Sequence, residues 1–258
     1  MLQRKQEQRS GAFQLLPAID LRGGRVVRLA EGDFARETVY SADAVEVAVG
    51  FAAAGAKWIH VVDLDGARDG TRRQTEAVAR IVSAVGERVA CEVAGGLRDE
   101  AAVESVLDAG AARAVVGTAA LRDPRLVARL VARFGVERIA VALDVRNGLA
   151  VGQGWVPGAA GLPDEDALAA LAARGARTFV VTAIERDGLM TGPNLDLLGR
   201  LVALGLGEII ASAGVSSLED VSAVRAIGCV GAVVGRAIYE GRLDLASAIR
   251  TVSAKEAG

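Results

Sequence analysis

The chain contains one short stretch twice, and this repetition limits its possible folds more than any other feature. Residues 18–25 read AIDLRGGR and residues 142–149 read ALDVRNGL, so Asp20 and Asp144 lie 124 positions apart (144 minus 20). Each copy is an apolar run that reaches one carboxylate and then a glycine turn, as a buried strand does at the rim of a sheet. Two such acids facing each other would form a general acid–base pair.

The similarity between the two halves extends well beyond this stretch. Residues 51–56 (FAAAGA) recur at 171–176 (LAARGA), an offset of 120, and residues 114–119 (AVVGTA) recur at 232–237 (AVVGRA), an offset of 118. Offsets that change so little across half a chain indicate one duplicated unit rather than a short-period solenoid.

Short β-branched runs alternate with Ala-, Leu- and Arg-rich amphipathic segments, which is typical of parallel strands joined by helices. Eight strands are predicted, at Gln14–Ile19, Trp58–Val62, Val89–Val93, Arg113–Val116, Arg138–Leu143, Thr178–Thr182, Glu208–Ser212 and Gly231–Val234. Eight helices are predicted, near Ala44–Ala54, Arg72–Val85, Glu100–Ala109, Pro124–Phe134, Asp164–Ala173, Leu195–Leu204, Leu218–Ala226 and Leu245–Val252. Eight alternations with an internal repeat predict an α/β fold, a (β/α)8 TIM barrel with two-fold half-barrel symmetry.

Length and composition agree with one such barrel and exclude several functions. We expect a single domain over residues 14–258, preceded by a flexible, polar N-terminal extension at residues 1–13. A net charge of −2 gives no field for nucleic acid or an anionic membrane, and no segment has the roughly 18 apolar residues needed to span a bilayer. Cys91 and Cys229 lack metal-ligand spacing and are predicted as small core residues of a cytoplasmic protein, expected to be a monomer.

Glycines cluster in two opposite pairs of loops after the predicted strands, where TIM barrels carry their chemistry. A glycine at a strand end lets the backbone approach an anion closely, and the following helix offers unpaired N–H groups. The sequence therefore predicts a ligand with two phosphates. One cradle is predicted from Gly95, Gly96, Arg98, Gly117 and Thr118, and the other from Ser212, Ala213, Gly214, Gly235 and Arg236.

Carboxylates are the candidate catalytic groups. Asp20 and Asp144 each follow an apolar strand, where loss of water tends to favour proton transfer by a carboxyl group; the alternative is that each only caps the next loop. Asp187, after the sixth strand, is either a third catalytic acid or a turn former, and Thr182 at the end of that strand can hold a substrate hydroxyl. Further binding residues are predicted in the same loops, at Arg28, Trp155 and Gly188.

The only histidine, His60, lies within a strand between Ile59 and Val61 and is interpreted as a core or barrel-wall residue. It offers no Ser–His or Cys–His nucleophile, and no cluster has metal-ligand spacing. Glycine motifs of dinucleotide and nucleoside-triphosphate sites are absent from the sequence. We therefore expect carboxylate chemistry with no metal and no cofactor.

Six motifs together resemble the ProFAR isomerases of histidine biosynthesis, whose full name is phosphoribosylformimino-5-aminoimidazole carboxamide ribotide isomerase. The motifs are LPAIDL (16–21), HVVDLDGA (60–67), GGLR (95–98), VGTA (116–119), RDG with TGPN (186–188 and 191–194) and VGRA (234–237). The resemblance covers about Leu15 to Ile249 and implies a half-barrel-duplicated (β/α)8 enzyme. It also implies an Amadori rearrangement of a phosphorylated ribosyl substrate from aminoaldose to aminoketose, without a cofactor.

The resemblance implies roles for four residues. The general base matches Asp20, the usual proton donor matches Asp144, a rival donor matches Asp187, and an assisting hydroxyl matches Thr182. This assignment suits the chemistry, because opening the furanose ring needs an acid and removing the C2 proton needs a base on another side.

Three alanines depart from the pattern of that family. Ala94 and Ala213 stand where glycine is expected, and Ala183 stands where an acid is expected, as its repeat partner Asp63 shows. A Cβ is harmless at negative φ but obstructs an anion at positive φ. We expect negative φ at Ala94 and Ala213, since neighbouring glycines can supply the close approach.

Three alternative functions remain at this point. Residues 179–182 (FVVT) and 192–198 (GPNLDLL) resemble a bifunctional relative that also isomerises phosphoribosylanthranilate, although residues 151–154 (VGQG) lack the arginine expected for it. A sister cyclase shares the barrel, but it normally has a cysteine in the motif that here reads PAID (17–20). A barrel that only binds phosphosugars would explain the alanines, but not the retention of all four catalytic candidates.

Overall fold

The structure is a computed structural model that describes residues 12–152 and 161–254. Within these residues the strands are β1 (Gln14–Arg22), β2 (Arg25–Ala30), β3 (Asp33–Ser41), β4 (Trp58–Asp63), β5 (Ala90–Ala94), β6 (Arg113–Val116), β7 (Ile139–Arg146), β8 (Leu149–Val151), β9 (Leu162–Pro163), β10 (Thr178–Ala183), β11 (Glu208–Ser212) and β12 (Gly231–Val234).

The helices of the same residues surround these strands. They are α1 (Ala44–Ala53), α2 (Leu64–Asp69), α3 (Thr75–Val85), α4 (Glu100–Asp108), α5 (Thr118–Arg122), α6 (Pro124–Phe134), α7 (Asp164–Ala172), α8 (Leu195–Ala203), α9 (Leu218–Ala226), α10 (Arg236–Tyr239) and α11 (Leu245–Ala254). Single 3₁₀ turns lie at Gly86–Arg88, Val136–Arg138 and Ile184–Arg186.

Eight parallel strands close into a barrel in the order β1, β4, β5, β6, β7, β10, β11, β12. The pairings of β12 with β1 and of β7 with β10 complete the ring. All eight are the strands predicted from the sequence, so the predicted (β/α)8 fold is confirmed.

The barrel has two apolar layers because its strands are buried on both faces. Alternate residues point inward, and the inner cluster consists of Leu16, Ala18, Val115, Ala140, Val180, Ile210 and Val233. The intervening residues pack against the helices in a larger outer cluster. Strand alternation therefore places Asp20, two residues after Ala18, on the inner face near the rim.

Backbone angles show that the two-fold repeat is present in the structure as well as in the sequence. Gly117 and Gly235, which precede α5 and α10, have φ and ψ of −103° and −104°, and of −112° and −98°. The N-caps of α4 and α9, Asp99 and Ser217, are also alike, with φ of −146° and −142°. Both pairs are 118 residues apart.

The repeated acidic stretch forms a β-hairpin in each half, which the sequence prediction missed. Gly23 and Gly24, with φ of 54° and 76°, connect β1 to β2, and Asn147 and Gly148, with φ of 52° and 77°, connect β7 to β8. Gly-Gly and Asn-Gly are the dipeptides that favour such two-residue turns. The strands expected to end at Ile19 and Leu143 consequently extend to Arg22 and Arg146.

Two predicted boundaries were wrong for identifiable reasons. The helix expected from Arg72 begins at Thr75, because the backbone N–H groups of Arg73 and Gln74 donate to the Asp63 carboxylate at 2.6 and 2.9 Å. Phe13, assigned to the flexible extension, is buried in the outer core. Residues 1–11 of that extension lie outside the described residues.

Both cysteines are free and buried, as predicted, and burial raises the pKa of the Cys91 thiol to about 12. In the part of the chain that the structure describes, every helix is too short or too polar to cross a membrane.

Candidate active site

A cavity of about 260 Å³ lies at the ends of the barrel strands. Every predicted site residue that the structure describes lines it: Asp20, Asp144, Asp187, Thr182, Arg28, Gly95, Gly96, Arg98, Gly117, Thr118, Gly188, Ser212, Ala213, Gly214, Gly235 and Arg236. Trp155, also predicted, lies outside the described residues. The structure thus brings together groups that are spread over more than 200 positions of the sequence.

Asp20 forms an ion pair with Arg28, which the β1–β2 hairpin brings back alongside it. Arg28 Nη1 donates to Asp20 Oδ2 at 2.6 Å, and Nη2 donates to the Ala18 carbonyl oxygen at 2.5 Å. Burial alone would lower the pKa of Arg28, but Asp20, Tyr239 and Asp187 together outweigh burial and the pKa is raised. Arg28 is therefore a fixed cation beside the candidate base.

Tyr239 supports this ion pair from α10. Its hydroxyl donates to the Ala18 carbonyl oxygen at 2.8 Å, and its ring lies 5.5 Å from the Arg28 guanidinium. Burial raises the pKa of the Tyr239 hydroxyl, so it stays protonated. Tyr239 could not be predicted as a site residue, because a helix of four residues is too short to show a hydrophobic period.

Asp187 lies in the loop after β10 and faces the other two carboxylates. Burial, joined by the charges of Asp20 and Asp144 and opposed by the charge of Arg28, raises the pKa of Asp187 to about 7. The Gly188 backbone N–H, which donates to the Asp187 carboxyl group, also opposes this rise. A carboxyl group with this pKa is available as a proton donor near neutral pH.

Thr182 and Asp144 are neighbours in the parallel ladder between β10 and β7. Thr182 is in register with Asp144 on one side and with Ser212 on the other, and it is buried. The four predicted catalytic groups therefore lie around one cavity, with the hydroxyl of Thr182 between one acid and the second glycine-rich cradle.

The two cradles have the same backbone path but different residues. Gly95 and Gly96 have φ of +96° and +72°, and the equivalent Ala213 and Gly214 have φ of +78° and +81°. The expectation of negative φ was therefore wrong for Ala213. The expectation was correct for Ala94. This residue ends the extended strand β5 and does not have a positive φ.

The offset of 118 explains this error. It pairs Ala213 with Gly95, and it pairs Ala94 with Ser212, so the two alanines are not equivalent to each other. A Cβ built on Gly95 would overlap the backbone carbonyl oxygen of Asp63. The first half therefore requires glycine at the position where the second half has alanine.

Asp63 organises the loop after β4 rather than the cavity. Its fully buried carboxylate accepts from Gly66 N at 2.7 Å, in addition to the two backbone groups before α3. Its repeat partner Ala183 cannot do this. The loop after β10 is instead fastened from outside, since Glu31 N donates to the Asp187 carbonyl oxygen at 3.0 Å.

Several polar groups around the cradles already contact other parts of the protein. Ser216 and Ser217 N–H groups donate to the Asp220 carboxylate at 2.8 and 3.1 Å, so the start of α9 is capped by its own chain. The Arg98 guanidinium lies over Gly70, where a side chain would overlap it. Arg236 donates from Nη1 to the Gly188 carbonyl oxygen at 2.7 Å.

His60 is a buried barrel-wall residue, as predicted, and it also lines the cavity. Its Nδ1 lies 2.5 Å from Glu92 Oε1, and Arg113 donates to the other carboxylate oxygen from Nε at 2.8 Å. Burial raises the pKa of Glu92, but His60 and Arg113 together hold it below its usual value. Arg113 in turn stacks on Trp58, with 4.4 Å from guanidinium to ring centre.

Within the described residues, no group of three or more His, Cys, Asp or Glu side chains could hold a metal ion. The polar groups that converge on the cavity are carboxylates, hydroxyls, arginines and backbone amides. This set is suited to acid–base chemistry on an anionic ligand.

Comparisons with known proteins find a matching family and several relatives. Residues 14–244 match the family described as Histidine biosynthesis protein. A relative from Thermomicrobium roseum is 50% identical over 230 residues, covering 89% of this chain and 93% of the relative. Relatives from Roseiflexus sp. and Symbiobacterium thermophilum are 44% and 45% identical, covering 93% and 92% of this chain and 100% and 96% of the relatives.

All three relatives bear one name: 1-(5-phosphoribosyl)-5-((5-phosphoribosylamino)methylideneamino) imidazole-4-carboxamide isomerase. That name contains two phosphoribosyl groups.

Proposed function

The chain belongs to the histidine biosynthesis protein family, and we infer that it is the isomerase of that pathway that acts on ProFAR. One observation supports the chemistry most directly. Asp187, whose pKa is about 7, faces Asp20, which is ion-paired with Arg28, across a cavity that also holds Asp144. One carboxyl group is thus available to donate a proton while another is available to accept one.

We propose that the reaction is an Amadori rearrangement carried by these carboxylates. A proton donated to the furanose oxygen breaks its bond to C1 and leaves a protonated imine. Asp20 then removes the C2 proton, which gives an enaminol. C1 of the enaminol takes up a proton and the C2 hydroxyl gives up its own, so that the aminoketose forms and both carboxyl groups regain their starting protonation states. Electrons move only within the substrate, so the scheme needs no cofactor and no metal.

Asp187 and Asp144 are the candidate donors for ring opening. The pKa of about 7 favours Asp187, because about half of its carboxyl groups carry a proton near neutral pH. Asp144 lies beside Thr182 in the ladder, and we propose that the threonine hydroxyl helps to hold the sugar.

The two glycine cradles are proposed to hold the two phosphates of the substrate. Left-handed backbone at Gly95, Gly96 and Gly214 turns the chain so that its amides can approach an anion closely. Arg98 beside the first cradle and Ser212 beside the second add polar groups at the cavity wall. The remaining proposed binding residues are Arg28, Gly117, Thr118, Gly188 and Gly235, with Trp155 proposed from the sequence alone.

Activity on phosphoribosylanthranilate is not favoured, since the relatives bear the name of the imidazole carboxamide isomerase alone. We propose a small-molecule phosphoribosyl substrate as the only partner, with no nucleic acid or membrane, for a monomer in the cytoplasm.

Steady-state assays of the purified protein with ProFAR and with phosphoribosylanthranilate, after treatment with a metal chelator, test the proposed function. We expect turnover of ProFAR and no turnover of phosphoribosylanthranilate. An inactive protein with ProFAR would contradict the proposal, and equal kcat/KM for both substrates would restore the bifunctional alternative.

A further inference from the structure

The loop that carries Asp187 is held at two successive carbonyl groups. The Asp187 carbonyl oxygen accepts from Glu31 N at 3.0 Å, and the Gly188 carbonyl oxygen accepts from Arg236 Nη1 at 2.7 Å. Gly188 has a φ of +68°, and any Cβ there would lie 2.5 Å from the carbonyl oxygen of Leu29. This loop therefore packs backbone against backbone where it meets β2, and Arg236 is the side chain that holds it from α10.

The Arg236 guanidinium is itself held by a second contact, on the side away from the loop. Its Nε donates at 2.5 Å to Oε1 of Glu240, the residue that directly follows α10. The same carboxylate oxygen accepts from the Tyr40 hydroxyl at 2.9 Å. Tyr40 stacks on Tyr239 with ring centres 4.8 Å apart. A chain of contacts thus runs from β3 through α10 to the loop.

We propose that Arg236 is a positioning residue that clamps the Asp187 loop by holding the Gly188 carbonyl oxygen. The clamp is completed by Glu240 and Tyr40, which orient the guanidinium. This inference rests on the proposed function, because it assigns Arg236 a role in placing a catalytic acid. It differs from the phosphate-binding role that the sequence alone suggests for Arg236.

The geometry favours the clamp because two of the three guanidinium nitrogens already donate to protein oxygens, one of them charged. A planar guanidinium offers its donors in fixed directions, so contacts to Glu240 and Gly188 orient it firmly. A carboxylate as close as Glu240 also repels an incoming phosphate from this side. Displacement of Asp187 by about 1 Å is enough to lower the rate by up to 10²-fold.

Two variants separate the roles by their effects on kcat and KM for ProFAR. Arg236→Met removes all donors at similar length, and the clamp predicts a kcat roughly tenfold lower with a smaller change in KM. Glu240→Gln loosens the guanidinium, and the clamp predicts a lower kcat with no gain in affinity. If Arg236 serves only as a phosphate ligand, freeing it from Glu240 would lower KM and leave kcat unchanged.

The pH profile provides an independent readout. Asp187 faces Asp20 of β1, Arg28 of β2 and Asp144 of β7, and burial keeps its neutral form favoured. A loosened loop admits water and so lowers the pKa of Asp187. In both variants the pH at which kcat/KM begins to fall should therefore decrease by about 0.5 pH unit or more. Glu104→Gln, which breaks an outer ion pair with Arg133, is the matched control and should change neither quantity.

These outcomes also distinguish failure of the clamp from failure of the proposed function. If the wild-type protein does not turn over ProFAR, the function itself is wrong. If the wild type is active while Arg236→Met raises only KM and leaves the pH profile in place, the clamp is overturned. Circular dichroism and the melting temperature of each variant confirm that kinetic changes arise in folded protein.

Discussion

Gly95 and Ala213 occupy equivalent positions in the two half-barrels and share a left-handed backbone, with φ of +96° and +78°. Left-handed backbone costs a non-glycine residue roughly 1 kcal/mol or more, so Ala213 is strained while Gly95 is not. The duplicated cradles therefore differ in backbone strain at this position. Ala213 is therefore the position where a single substitution most directly tests phosphate binding in the second half.

Ala213→Gly should stabilise the protein by roughly 0.5 kcal/mol. We expect this because the backbone strain relieved in the folded state exceeds the free energy that the unfolded chain gains from the extra flexibility of glycine. Removing the Cβ should also lower KM for ProFAR several-fold. Ala94→Gly is the matched control, and there we expect a loss of about 0.5–1 kcal/mol and an unchanged KM, because the backbone is extended. Equal effects of the two substitutions on KM and on melting temperature would contradict this account.

The activity should fall with rising pH through the pKa of Asp187. If Asp187 donates the proton for ring opening, kcat/KM decreases above about pH 7, because its protonated fraction declines. A profile that stays level from pH 6 to pH 9 would remove Asp187 from the role of donor.

Asp187→Asn should make the protein more stable at alkaline pH. The raised pKa means that the neutral form is favoured in the folded state, so this contribution to stability is present below about pH 4 and is lost as pH rises to about 7. Asparagine avoids that loss. Because the side chain partly faces the cavity, we expect a gain of only about 1–2 kcal/mol at pH 8 and none near pH 4, measured by urea denaturation.

Asp144→Asn and Asp187→Asn, assayed side by side, should identify the main proton donor. General acids typically contribute 10²–10⁴-fold, and the pKa of Asp187 predicts the larger loss of kcat for Asp187→Asn. A larger loss for Asp144→Asn would assign ring opening to that residue instead. Binding of inorganic phosphate should be unchanged in both variants, which serves as the control.

His60→Gln should lower stability without altering the pH profile of kcat. Glutamine can still donate to Glu92 but fits the barrel wall poorly, so we expect a loss of about 1–3 kcal/mol. Glu92→Gln should cost more, about 3–5 kcal/mol, because it leaves Arg113 buried beside a neutral partner. Loss of an ionisation between pH 6 and 7 in His60→Gln would show that the imidazole takes part in catalysis.

The barrel could be predicted from the sequence because parallel strands are buried on both faces and therefore appear as short continuous apolar runs. The glycine cradles and the candidate catalytic acids could be predicted because the glycines and aspartates come directly after those apolar runs. The hairpins were missed even though Gly23-Gly24 and Asn147-Gly148 favour them. Missing the first hairpin also hid the contact between Arg28 and Asp20.

Other features of the site depend on tertiary structure and have no sequence pattern. The positive φ of Ala213 becomes evident only when the two halves are aligned with an offset of 118 residues, which pairs Ala213 with Gly95. Matching alanine to alanine hides it. Tyr239 and Glu240 lie in or beside a helix of four residues, too short for periodicity. The pKa of Asp187 arises from burial and from neighbours on β1, β2 and β7, which are distant in the chain.

The central claim is that a carboxylate at the end of β1 is the base for isomerisation of ProFAR, and kcat of Asp20→Asn tests it most directly. We predict that kcat falls by 10²–10⁴-fold while the protein folds normally, since the amide keeps the shape of the side chain but cannot accept the C2 proton. A variant that retains more than about a tenth of the wild-type kcat would show that Asp20 is not the base.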